Sequence, residues 1–511
     1  MYCSAQLASS AIASLAARER GQAQTLWRDA LARNQTRHAG QASKVGQSNG
    51  RRNDGWQAEF ARPQDAQATD ANGAFRGLSA DQVVTVEDVA GPAGTESRLP
   101  SPKQGGRASS PACNARGLRT SSSMNEFRFT SYAQEVIFGA GSLAQLEDAV
   151  ERFHLRRLML CATGSLRRGG QIKLIEKALG SRLVAIYEHV QPHVPDFQVT
   201  EALELASENE IDALIGMGGG SPIGLAKALS VALEERRTGR SAKSAYPTDQ
   251  PLVPVIAIPT TYAGSEMTPT FGITYHTDGE ARKVTLTDSK ITPKLVVYDP
   301  LLTLNLPPEI TASTGINALA HCIEALYSIT RNPLSTSDAL SGIHSICTAL
   351  PLCYVDGNNL EARTEMLVGA FLAGSALSHV SMALHHGICH ILGGTAGVQH
   401  GFANSIILPH AMRFNMDVTA TQLALAAEAM GVERRTATSS LSAEVLAEKA
   451  VERIHILIGQ MNLPQHLSSV GVKEADIPKL AQLALQSRAV QSNPKQIADV
   501  SQIEAILQAA W

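Results

Sequence analysis

The sequence predicts an α/β half built on a parallel sheet, then an all-helical half, with a low-complexity, disordered extension in front. Three observations predict it. Between residues 125 and 305 short apolar runs alternate with amphipathic stretches. Strand signals stop after "DPLLTLNLPPE". The composition changes at Met124. A chain of 511 residues is too long for one ordinary domain. The expected divisions are 1–124, 125–305 and 306–511, the second boundary lying near Pro307 and Pro308.

The elements follow in order. Residues 1–124 are rich in Ala, Arg, Gln, Ser and Gly, and "PSPKQGGRASSPACNARGLRTSSS" lacks the apolar periodicity that a core requires. The first 50 residues are acid-poor and contain Arg and Ser, a pattern similar to a mitochondrial transit peptide; a solvated tail is the plainer reading, and Met124 would serve as an ordinary start. "RRLMLCA" reads as a buried strand and "GGQIKLIEKALG" as a helix closed by a glycine. "LVAIYEHV", "IDALIGM" and "VPVIAIPT" are further strands, separated by the helices "VTEALELASENE" and "PIGLAKALSVALEE". Such alternation argues a parallel sheet with helices on both faces. From residue 309 onward the pattern is helical, as in "INALAHCIEALYSI" and "LSAEVLAEKAVERIHILIGQM". The cleft between the halves is the expected site location.

Composition excludes several classes. Hydrophobic residues make up 44% and charged residues 18%, with a formal net charge of −3, which suits a globular protein and gives no sign of nucleic-acid binding. The 7 cysteines form no CxxC pair, so a zinc ribbon or disulfide framework is not expected. A reducing compartment, the cytoplasm, fits best, with mitochondrial targeting as the alternative. No apolar run reaches the roughly 18–20 residues needed to span a bilayer.

"IDALIGMGGGSPIGLAKAL" sets strand, glycine turn and helix in the order that a phosphate-binding turn requires. Gly218, Gly219 and Gly220 permit close backbone approach. Ser221 is expected as the N-cap and Pro222 as the first helical residue, which would present backbone N–H groups to a pyrophosphate. The competing reading is a purely structural turn, and the motif is not GxGxxG. A second turn, "IPTTYAGSEMTP", offers the hydroxyls of Thr260, Thr261 and Ser265 at the carboxyl end of a strand, where open α/β sheets bind ligands.

Asn317 and His321 stand four apart and share a helical face. His385, His386, His390 and His400 fall within sixteen residues of a chain with 15 histidines, and His386 and His390 are also four apart. One helical histidine is usually structural; this density argues a site for acid/base chemistry, metal binding or carboxylate recognition. His193 follows a strand end, and both packing and a place in the cleft are open to it.

Together "VIFGAGSL", "GMGGGSPIGLAKA", "IPTTYAGSE", "VVYDPLLTLNLPP", "GINALAHCIEALY" and "HHGICHILGG…QHGFANSIILPHAMRFN" resemble the iron-containing alcohol dehydrogenase superfamily, which is related in fold to dehydroquinate synthase. The resemblance runs from about Phe127 to the C-terminus. It implies NADH or NADPH as cofactor, bound by Gly218, Gly219, Gly220, Ser221, Thr260, Thr261 and Ser265, and a homodimer. The superfamily's metal ligands, an Asp and three His, correspond to Asn317, His321, His386 and His400. Replacing Asp by Asn takes the set from net −1 to zero, and an amide is the poorer ligand for a hard cation. Gly224, where the superfamily usually carries Asp, and the double histidine are similar to the maleylacetate reductases; Gly387 and "QHGFANS" follow the general alcohol dehydrogenase pattern. The resemblance implies NAD(P)H-dependent reduction of maleylacetate to 3-oxoadipate in aromatic catabolism. On it no metal is expected, and His321, His386, His390 and His400 would act catalytically, with His390 nearest the nicotinamide. The alternatives are a metal-dependent alcohol dehydrogenase and a non-catalytic or lyase-type relative.

Overall fold

In this computed structural model the described residues are 127, 129–240, 244, 249–277, 280–435 and 440–511. The expectations for residues 1–124 lie outside them. The described residues fall in one compact unit.

The sheet elements are β1 (Glu135–Phe138), β2 (Leu158–Cys161), β3 (Leu183–Tyr187), β4 (Ala213–Gly218), β5 (Val255–Pro259), the pair β6 (Thr270–Thr277) and β7 (Glu280–Thr287), and β8 (Leu295–Tyr298). Among them run α1 (Leu146–Arg152), α2 (Gly164–Arg168), α3 (Gln171–Leu179), α4 (Asp196–Glu208) and α5 (Gly220–Thr238). Six strands pair in parallel in the order β1-β8-β5-β4-β2-β3. The central strands β2, β4, β5 and β8 are buried along their whole length, which explains their continuous apolar runs; the edge strand β1 alternates between half-buried and exposed. Successive residues of β2 feed opposite cores. Met159 and Cys161 pack with Leu203 and Leu229 of α4 and α5, while Leu158 and Leu160 pack with Val150 and Ile175 of α1 and α3. The parallel sheet covered on both faces is therefore observed.

Two details differ from expectation. The N-cap of α5 is Gly219, with Gly220 the first helical residue, so Ser221 lies inside the first turn. Its Oγ instead accepts a hydrogen bond from the backbone N of His193, at 3.2 Å. The antiparallel hairpin β6–β7 was also not anticipated. Its strands mix polar and apolar residues and take their place from packing against neighbouring elements rather than from a continuous apolar run.

The helical half comprises α6 (Pro308–Tyr327), α7 (Pro333–Val355), α8 (Leu360–Ser378), α9 (Leu384–Thr395), α10 (His400–Ala429), α11 (Ala443–Gln460), α12 (Ile477–Leu485), α13 (Arg488–Gln491) and α14 (Val500–Ala509). α6 starts at the proline pair, where a missing N–H costs nothing. It is buried on nearly every face from Gly315 to Tyr327, so it is the axis around which α7, α8 and α10 pack. No helix among the described residues is long and apolar enough to cross a membrane.

Candidate active site at the carboxyl ends of the strands

The glycine loop follows β4. Gly218 has φ 136°, open to glycine and costly for other residues. Gly219 is close to Thr261: a Cβ there would lie 3.0 Å from Thr261 Oγ1. That hydroxyl is buried and has no partner among the described residues. A glycine turn opening onto the N-terminus of a 19-residue helix, beside an unpartnered hydroxyl, suits the phosphates of a dinucleotide. Thr260, also buried, continues the β4–β5 pairing by donating its backbone N–H to Gly218 O at 2.9 Å.

Lys227 of α5 is fully buried and ties this region together. Its Nζ donates to Ser265 O at 2.6 Å, Thr268 O at 2.7 Å and Thr270 O at 3.1 Å. The turn that carries Ser265 is thereby fixed to the helix that carries the glycine loop.

Asn317, His321 and Glu324 project from α6. Asn317 Nδ2 donates to Ala263 O at 3.3 Å and links the helix to the threonine turn. The His321 ring stacks on that of His386, with centroids 4.6 Å apart and planes at 16°. His390 stacks on His400 at 5.7 Å and 20°, and His386 lies 6.1 Å from both. The structure thus brings His321, His386, His390 and His400 into one cluster. His385 adjoins the cluster, its Nδ1 3.2 Å from His386 Nδ1 and its Nε2 3.3 Å from Asn404 O.

Burial holds His321, His390 and His400 well below the ordinary imidazole range, and for His390 and His400 the nearby Lys283 ammonium adds to it. At neutral pH these rings are uncharged, so their nitrogens act as neutral donors, lone-pair ligands or both. Burial pushes the Glu324 carboxyl up, but His386 and His385 outweigh it, and the group stays ionised well below the usual carboxylate range. It bonds His386 Nδ1 and accepts the backbone N–H groups of Ala383 at 3.2 Å and His385 at 3.1 Å.

Two contributors come from the α/β half. The His193 backbone donates to Ser221, and its ring faces α9, where a Cβ at Gly393 would meet it at 3.3 Å. Burial and Lys283 lower its pKa to about 4. His193 therefore joins the glycine loop to the histidine helix. Lys283 of β7 packs against Gly394 in the same way, a Cβ there lying 3.3 Å from Lys283 Cβ. Burial pulls its pKa down. Sequence reasoning missed Lys283 because it stands in a hairpin with no motif of its own; the faint signal was the glycine pair Gly393–Gly394, which gives α9 a face that neighbours can approach. Glu324, three residues after His321, was missed as well.

Two family models match the chain: "Iron-containing alcohol dehydrogenase" over residues 133–300 and "Fe-containing alcohol dehydrogenase family, C-terminal" over 311–511. The chain is 33% identical to maleylacetate reductase 1 of Cupriavidus pinatubonensis, over 71% of this chain and 92% of that protein. It is 35% identical to maleylacetate reductase 1 of Rhodococcus opacus, over 76% and 97%. The crystal structure of maleylacetate reductase from Agrobacterium tumefaciens is similar with TM-score 0.64 and 30% identity, over 76% of this chain and 99% of that one.

These findings correct the expectation of a site without a metal. The matched family is described as iron-containing, and Glu324, His385 and His386 bring one ligand atom each within 4.8 Å of one another. The expectation weighed only the lost carboxylate at Asn317 and overlooked the buried Glu324 against the cluster. A second set, sharing only His386 with that group, offers open donors for a cation: Asn317 Oδ1, His321 Nδ1, His386 Nε2 and His400 Nδ1 are all buried without a hydrogen-bond partner among the described residues. Unsatisfied buried polar atoms are costly, and four on neighbouring residues point to a ligand that satisfies them.

Proposed function

The chain belongs to the iron-containing alcohol dehydrogenase family and is an oxidoreductase, and from that premise we propose that it reduces maleylacetate to 3-oxoadipate with NADH or NADPH. The substrate comes from the names of the relatives above. The observation that supports the chemistry is the cluster of buried, neutral imidazoles with open ring nitrogens, joined to the glycine loop through His193.

On this reading residues 125–305 hold the nucleotide and 306–511 supply the reaction chamber. Gly218, Gly219, Gly220 and Ser221 take the pyrophosphate, with Thr260, Thr261 and Ser265 beside it. A reduced nicotinamide supplies a hydride. Asn317, His321, His386 and His400 would hold a divalent cation, whose chemistry there is Lewis-acid polarisation of a substrate oxygen. Maleylacetate is a dianion with a carbon–carbon double bond conjugated to a ketone. Addition of hydride beta to the ketone places negative charge on the ketone oxygen, and a proton taken up at the alpha carbon completes the reduction. A neutral imidazole N–H, that of His390, would stabilise the charge on that oxygen without reorganisation. His390, outside the ligand set, would relay a proton from solvent to the alpha carbon, taking it at one ring nitrogen as it gives one from the other. Lys283, a half-buried cation facing neutral rings, would pair with a substrate carboxylate and recover the interactions that burial removed. A cytoplasmic homodimer completes the proposal.

The test is a cofactor-consumption assay on enzyme reconstituted with iron(II), using both nicotinamides against maleylacetate and a panel of small aldehydes, ketones and alcohols. We expect maleylacetate to exceed every other substrate in kcat/KM. A preference for a simple aldehyde or alcohol would replace this reading with a general alcohol dehydrogenase.

A further inference from the structure

We propose that Glu324 is not a metal ligand but a positioning residue that locks His386 in its Nδ1–H tautomer, so that Nε2 keeps its lone pair for a cation shared with Asn317, His321 and His400; the inference rests on the reading of these residues as a ligand site. The geometry carries it. Two donors on one tetrahedral cation at about 2.0–2.1 Å lie roughly 3.4 Å apart. Glu324 Oε2 and His386 Nδ1 are in direct hydrogen-bond contact, closer than that, so a shared hydrogen rather than an ion lies between them. The other oxygen, Oε1, is occupied by the backbone N–H groups of Ala383 and His385. Both oxygens are therefore committed inside the protein, and one carboxylate fixes the first turn of α9 together with the ring of its third residue.

An ionised carboxylate only accepts, so His386 Nδ1 carries the hydrogen. His385 lies beside this pair, with Nδ1 3.2 Å from His386 Nδ1 and Nε2 3.3 Å from Asn404 O. His386 Nε2 is then the bare nitrogen, and it is buried with no partner among the described residues. Its ring is held by the stack on His321. Carboxylate bonds of this kind fix ring orientation and raise donor strength, and removing them costs about 10–100-fold in metal affinity. Here the effect has added weight: the set Asn317, His321, His386 and His400 is neutral, and Glu324 is the carboxylate that reaches it, through His386.

Glu324→Gln separates positioning from scaffolding. The amide oxygen can still accept from Ala383 and His385, but the amide NH₂ turns a donor toward His386 Nδ1 and drives the hydrogen to Nε2. Co²⁺ affinity, read by visible absorption and chelator competition, should fall about 10–100-fold. The melting curve and nucleotide affinity should stay at wild-type values. In a His386→Ala background, Glu324→Gln should cause no further loss of Co²⁺ affinity. An undiminished affinity in Glu324→Gln, or an equal loss in both backgrounds, overturns the proposal. Nitrogen chemical shifts of ¹⁵N-histidine-labelled wild-type protein, with the His386 signals assigned by their loss in His386→Gln, provide a readout independent of metal and of the variant's folding. Nδ1–H at His386 supports the proposal and Nε2–H overturns it. A wild-type protein that binds no Co²⁺ would refute the ligand-site reading, while the tautomer measurement would still decide the role of Glu324.

Discussion

Gly219 and Lys283 carry the most specific expectations at the residue scale. Gly219 has φ −91° and ψ −159°, extended backbone open to any residue, so a side chain there brings no backbone strain. What it meets is Thr261 Oγ1, 3.0 Å from the Cβ position, in the space assigned to phosphate. Gly219→Val should therefore fold normally and lose nucleotide affinity by at least about 100-fold, the loss expected when close backbone approach to a pyrophosphate is blocked. Fluorescence titration with NADH measures it, and wild-type affinity would reduce the loop to a structural turn. Lys283→Met keeps the aliphatic stem and removes the charge. A charge-assisted hydrogen bond to a carboxylate contributes about 1.5–3 kcal/mol, so KM for maleylacetate should rise about 10–100-fold, with NADH affinity little changed. Equal kinetics in the variant would remove Lys283 from substrate recognition.

At the element scale, α10 and α11 supply a pH dependence outside the active site. Burial, followed by His455, Arg413 and His466, lowers the pKa of His410 on α10 to about 4. The folded form thus resists protonation while the unfolded chain takes the proton near pH 6.5. The stability contribution is complete above pH 6.5 and is lost as the pH falls from there toward 4. Urea midpoints should drop between pH 7 and pH 5, and His410→Gln should show a smaller drop. An identical drop in the variant would place the acid sensitivity in other groups.

Elements also differ in how far the sequence announces them. β2, β4, β5 and β8 are buried on both faces, so their apolar runs are continuous, and β2, β4 and β5 were legible as strands without any contact information. The helix α3 ended as expected at Gly180, whereas α5 runs past the expected "PIGLAKALSVALEE" to a left-handed Gly239, where glycine accepts backbone that other residues resist. The hairpin β6–β7 could not be read, because its placement depends on packing against α5 and α9. Of the site, the histidine density and the glycine loop were visible. Lys283 and Glu324 were not, since one reaches the cluster from a distant hairpin and the other acts through His386. The metal was misjudged for the same reason: the count of ligands along the chain showed a carboxylate lost at Asn317 but not the one that packs against the cluster in space.

For the whole molecule, the family match begins at residue 133, and the glycine loop, threonine turn and histidine cluster all lie beyond it. A chain that starts at Met124 should therefore retain full-length kcat and KM. Loss of soluble protein or of activity would give the preceding residues a role in the fold. The matched span joins the two halves into one compact unit, with contacts from Asn317 to Ala263 and from Gly393 to His193 crossing between them. Reduction in this shared chamber should go to the carbon–carbon bond. The most direct measurement is to reduce maleylacetate with nicotinamide deuterated at its transferable position and to locate the label in the product by NMR. The product should be 3-oxoadipate with deuterium on the carbon beta to an intact ketone. Deuterium on a carbinol carbon, with the double bond retained, would contradict it.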